Sequence, residues 1–115
     1  MKRYALFAFN GEEMCFIHVL LNALDLDSRG CLVKVVIEGS AAKLIIPLAK
    51  ADHPLHELYA SCIDKGLIAC VCRACANKMG SLEEAQAQRL KLCHDMSGHP
   101  SMGSYIEEGY EIITF

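Results

Sequence analysis

No cluster of lysines and arginines occurs anywhere in the chain, and its formal net charge is -3. The electrostatic footprint that binding to a phosphate backbone requires is therefore missing, and no nucleic-acid partner is expected. No apolar run approaches the roughly 20 residues that cross a bilayer. The opening Met1-Lys2-Arg3-Tyr4 leads into a strand-like segment with no small-residue cleavage site, so no membrane attachment and a cytoplasmic location are expected. Neither Gly-x-Gly-x-x-Gly nor a P-loop is present, which leaves nucleotide binding without support. Internal repeats, low-complexity tracts and linkers are absent too. With 115 residues at 53% apolar content, residues 1–115 suffice for one core and one domain.

Short runs rich in β-branched and aromatic residues lie at Tyr4 to Phe9, Cys31 to Glu38, Leu67 to Cys72 and Tyr110 to Phe115, with a weaker one at Lys91 to His94. The second and third are nearly continuous in apolar character, as in strands covered on both faces. Helical patterns separate the runs, which predicts an α/β fold: a three-layer α/β/α sandwich around a mostly parallel five-stranded sheet. The expected helices run from about Glu12 to Ser28, across Ala41 to Lys50 with Pro47 inside it, from Pro54 to Lys65, from Arg73 to Met79, from a Ser81-Leu82-Glu83-Glu84 capping box, and from Pro100 to Glu108. The first is apolar almost all round except for a stripe of His18, Asn22, Asp25 and Arg29. It must be buried on more than one side, under neighbouring helices or at a subunit interface.

Ligands of open parallel sheets gather at the carboxyl ends of the strands. These ends bring forward Asn10-Gly11, Glu38-Gly39, Cys72, and His94-Asp95 followed by Ser97-Gly98-His99. Seven cysteines are present, an odd number in a chain with a large core, and several sit in apolar periodic segments, so they read as reduced thiols. Cys15, Cys31, Cys62 and Cys70 have the settings of small buried hydrophobes. Cys72 differs, because it closes a strand and opens a short helix whose amides, with adjacent Arg73, are expected to lower its pKa. Cys75 lies one turn further on, within reach as in Cys-x-x-Cys pairs. Cys72, His99 and Asp95 form a second candidate set, as nucleophile, base and orienter. Cys70, Cys72, Cys75, Cys93 and His94 include zinc ligand types, but not as two close knuckle pairs, and no metal is expected. Ser97 reads as a helix cap, His53 and His56 as solvated surface residues.

The segment Val71-Cys72-Arg73-Ala74-Cys75-Ala76-Asn77-Lys78-Met79-Gly80, with the opening strand, Asn10-Gly11 before a long apolar helix and the two-helix middle, resembles the DsrE/DsrF-like sulfur-relay family, also called YchN-like. In that family a strand ends in a cysteine and a short helix closes on a basic residue and glycine. Cys72 and Gly80 match this spacing, while Met79 stands where an arginine is common. The resemblance implies a trimer or hexamer and a persulfide on Cys72, passed between sulfur donor and acceptor proteins without a cofactor. Cys75 matches a second cysteine of some members. The expected function is thus a sulfurtransferase-like carrier. The alternative is a non-catalytic small-ligand-binding or thiol-redox module, with Asn10, Glu38, Cys72, Asp95 and His99 lining one crevice.

Overall fold

A computed structural model describes all of residues 1–115. Five strands, β1 (Arg3–Ala8), β2 (Leu32–Ile37), β3 (Ile68–Cys72), β4 (Leu92–Cys93) and β5 (Glu111–Thr114), form one sheet in the order β4-β3-β2-β1-β5. Every pairing is parallel. The chain steps outward from β1 to β4 and then crosses to the far side of β1 for β5. Right-handed crossovers therefore put the connections before β4 on one face and the last on the other.

The first face carries α1 (Glu13–Ser28), a 3-10 turn (Gly39–Leu44) running into α2 (Ile45–Leu48), α3 (His56–Asp64), α4 (Arg73–Met79) and α5 (Leu82–Ala87). It holds the larger core, in which Phe16, Val19 and Leu20 of α1 meet Leu6, Val35, Ile37 and Val71 of the sheet. Burying each such large side chain is worth about 1.5–3 kcal/mol. The opposite face carries α6 (Met102–Glu107) over a smaller cluster of Ala5, Phe7, Val36, Cys70, Cys93 and Tyr110. The sandwich read from the sequence is the observed architecture, and its second helical layer is a single short helix.

Local chemistry departs from the sequence reading at several points. The Ala41 to Lys50 segment is not one helix but a 3-10 turn followed by one turn of α-helix, since Pro47 lacks the N–H a longer helix needs. Ser81 precedes α5 but makes no capping bond; it is fully buried and donates to Ala42 O at 2.8 Å, tying α5 to the 3-10 turn. The cap before α6 is Ser101, whose hydroxyl accepts from Ser104 N at 3.2 Å, and not Ser97. His53 and His56 are half-buried rather than freely solvated. The ring of His53 meets Glu13 Oε2 at 3.0 Å and Leu55 N at 3.0 Å, and His56 Nδ1 meets Leu48 O at 2.9 Å, so each ties the α3 entry to another element.

The cysteines are not all reduced. Cys70 and Cys93 are joined as a disulfide across β3 and β4, with Cα atoms 5.8 Å apart. Ala69 occupies a bulge, because Val35 pairs with Ile68 and Val36 with Cys70. Spacing alone did not reveal this pair, because the two residues are 23 positions apart and meet only when β4 docks on β3.

Candidate functional site

Strand alternation puts Cys70 and Cys72 on the α6 side of the sheet. Beyond β4 the chain makes a tight hairpin in which Met96 and His99 exchange backbone hydrogen bonds of 2.7 and 2.8 Å. Its two central residues, Ser97 and Gly98, have φ of 48° and 90°, the positive pair that a type I′ turn requires. The hairpin folds back on the start of α4, where Ala74 N donates to Gly98 O at 2.9 Å. A Cβ at Gly98 would stand 3.1 Å from Ala74 Cβ, so a close approach as well as the positive φ selects glycine.

This docking brings His99 to Cys72. The Cys72 Sγ lies 3.2 Å from His99 Nδ1 and 3.6 Å from Gly98 O, and it accepts from Cys75 N–H at 3.4 Å in the manner of an N-cap. Cys75 Sγ is 3.8 Å from the same His99 nitrogen. The Sγ atoms of Cys72 and Cys75 and the His99 ring nitrogen all lie within 4.8 Å of one another. Cys75 and His99 are half-buried, whereas Cys72 has 0% of its surface exposed. The sulfur is thus out of contact with solvent, against the hairpin residues Gly98 and His99.

The thiol of Cys72 is not lowered, as the helix start and Arg73 led us to expect, but pushed up to about 12. Burial is the main cause, with the Cys75 thiol and the Glu38 carboxylate adding to it, while the Cys75 amide acts in the opposite direction and is outweighed. Arg73 is exposed and does not act on the sulfur. Glu38, at the end of β2, is itself raised by burial and partly restored by His99.

The other residues predicted at strand ends stand apart. Asn10 Oδ1 accepts from Glu12 N at 2.8 Å and serves the entry to α1. Asp95 accepts from Ser101 N at 3.4 Å and does not orient His99. None of the larger cavities gathers Asn10, Glu38, Cys72, Asp95 and His99. The larger cavities lie elsewhere, one lined by Gly11, Glu12, Lys43 and Pro47 and one of about 370 Å³ beside Lys34, Cys70, Cys93 and Tyr105. The contribution of Gly98, through its carbonyl, escaped the sequence reading; the Ser97-Gly98 pair between Met96 and His99 was the available signal.

The uncharacterized protein MJ0733 of the archaeon Methanocaldococcus jannaschii is 36% identical to this chain over 97 residues, or 84% of this chain and 77% of its own length. The chain belongs to the family of that protein. Two uncharacterized proteins of Archaeoglobus fulgidus are also similar, at 51% identity over 37 residues and 43% over 51 residues, covering 32% and 44% of this chain. No family model matches it. Among solved structures, the conserved protein of unknown function BT1422 from Bacteroides thetaiotaomicron superposes with a TM-score of 0.67 at 14% identity, over 96% of this chain and 94% of that one. It shares the α/β fold. No helix is long and apolar enough to cross a membrane.

Proposed function

We propose that the protein is a cytoplasmic sulfur carrier that takes a sulfane sulfur onto Cys72 and hands it to an acceptor protein. One observation carries this reading: the Cys72 Sγ stands 3.2 Å from an imidazole nitrogen able to take its proton. At rest the buried sulfur is a thiol, which protects it from adventitious oxidation. When a donor persulfide opens the hairpin, the Cys72 proton moves to His99 Nδ1 and the thiolate attacks the terminal sulfur of the donor. The donor's S–S bond breaks as the Cys72 S–S bond forms. The departing donor thiolate recovers the proton from His99. The Cys75 amide, 3.4 Å from Sγ, stabilises the anion on the way.

Cys75 supplies a release step. Its thiolate attacks the Cys72 Sγ, a Cys72–Cys75 disulfide forms, and the outer sulfur leaves as sulfide, so the two cysteines are oxidised while the sulfane sulfur is reduced. The same pair supports a second reading, a thiol-redox module that cycles between dithiol and disulfide. A disulfide at Cys70–Cys93 does not require an extracellular setting, since some intracellular proteins carry them. The carrier is proposed to work as a homo-oligomer, a trimer or hexamer, through the outer side of α1, where Met14 is 84% and Leu21 45% exposed. Sedimentation at the 12.7 kDa of one chain would remove that part.

The test is the intact mass after incubation with a low-molecular-weight persulfide. We expect a gain of one sulfur that survives Cys75→Ser and disappears in Cys72→Ser. A Cys75→Ser chain, which cannot expel the sulfur again, that gains nothing sinks the carrier reading, and a Cys72–Cys75 disulfide formed without release of sulfide favours the redox one.

A further inference from the structure

The site also has the composition of a metal centre. In a tetrahedral zinc site, bonds of about 2.3 Å to sulfur and about 2.0 Å to nitrogen separate sulfur from nitrogen by about 3.5 Å and sulfur from sulfur by about 3.8 Å. Here the two sulfur-to-nitrogen separations are 3.2 and 3.8 Å, and no pair among the three donors exceeds 4.8 Å. Small side-chain rotations suffice to close this set on an ion.

Two independent elements hold the donors. Cys72 and Cys75 span the β3–α4 junction, and His99 is delivered by a hairpin that Ala74 N and Gly98 O fasten to the same helix. The set differs from the one that spacing alone offers. Cys70 and Cys93 are occupied with each other, and His94 is exposed and outside the cluster.

We infer that the dithiol form of the protein binds one zinc ion through Cys72 Sγ, Cys75 Sγ and His99 Nδ1. Two thiolates and a neutral imidazole balance the charge of the ion, and two protons leave on binding. Three protein ligands leave the fourth position open, as in catalytic rather than structural zinc sites. Soft sulfur donors select zinc over magnesium or calcium. The inference stands apart from the carrier reading, and zinc and persulfide are exclusive occupants, because both use the Cys72 sulfur.

The experiment titrates the reduced full-length chain with Zn²⁺ against a chromogenic chelator, counts protons released in weak buffer, and checks stoichiometry by native mass spectrometry. We expect one zinc and two protons per chain. Loss of an outer-shell partner already costs about 10–100-fold in metal affinity. Cys75→Ala and His99→Ala, which remove ligands, are therefore expected to weaken zinc binding by more than 100-fold, while His94→Ala leaves it unchanged. Cys75 and His99 are half-buried, so circular dichroism can verify that these variants fold. A Cys70→Ala/Cys93→Ala chain that keeps its zinc excludes binding by the reduced disulfide and supports the inference. A folded double variant that loses zinc while the Met96 and His99 amides stay as protected from exchange as in the wild type overturns it. So does a wild-type chain without stoichiometric zinc, or zinc binding indifferent to Cys75→Ala. No sulfur donor is present, so a chain that loads sulfur and binds no zinc overturns this inference alone.

Discussion

Burial and a neighbouring carboxylate raise the Cys72 thiol to about 12, while His99 and the Cys75 amide stand ready to receive its proton and charge. In the proposed carrier, reactivity therefore depends on His99 rather than on a standing thiolate. Persulfide loading in His99→Ala is expected to slow by about 100-fold, the low end for a general base, whereas Arg73→Ala, at an exposed side chain, stays within about two-fold of wild type. Stopped-flow mass labelling separates the two. Cys62 makes a different prediction. Its buried thiol donates to Leu20 O at 3.7 Å and is raised from near 9 to about 11, first by burial and then by Asp27. Below pH 9 both folded and unfolded chains hold this proton. Between pH 9 and 11 only the folded chain does, so stability falls as pH rises through that window. Urea midpoints should show this fall, flattened though not abolished in Cys62→Ala because Cys72 titrates above it.

Among the elements, the Met96–His99 hairpin decides whether there is a site. Its turn forces Ser97 and Gly98 to positive φ, and the Gly98 carbonyl meets both Ala74 N and the Cys72 thiol. In Gly98→Ala, a side chain at φ of 90° meets Ala74 Cβ, and the left-handed conformation alone costs about 1–2 kcal/mol. We expect His99 to move off Cys72. Sulfur loading should then fall toward the His99→Ala level while the far-ultraviolet spectrum stays native; unchanged loading would mean that the hairpin does not position the base. Periodicity made the strands and the long helices legible in the sequence, since Leu32 to Ile37 has too little polarity for any place except a covered strand. It could not foresee that Ser81 would abandon its capping box for Ala42 O, because that carbonyl is 39 residues away and its need for a donor exists only once α5 packs on the 3-10 turn.

At the scale of the molecule, β4 is only two residues long, and the Cys70–Cys93 bond fixes it to β3. Closing a loop of 23 residues restricts the unfolded chain by about 3 kcal/mol in the chain-entropy picture. Reduction, or Cys93→Ala, is expected to lower unfolding stability by an amount of that order. It should also loosen the hairpin that follows β4, which amide exchange at Met96 and His99 would register as faster than at Val35 or Leu6.

Cys72 as the centre, Cys75 as its neighbour and the α/β class follow from the sequence alone, because apolar runs, strand ends and a Cys-x-x-Cys spacing are local properties of a chain. Tertiary structure decided the rest. It joined Cys70 to Cys93, left Arg73, Asn10 and Asp95 outside the cluster, and replaced a lowered thiol by a raised one. It also set His99 against two sulfurs that lie 27 and 24 positions away. The physical reason is the same each time: burial, electrostatic environment and meetings between distant segments arise only when the elements pack.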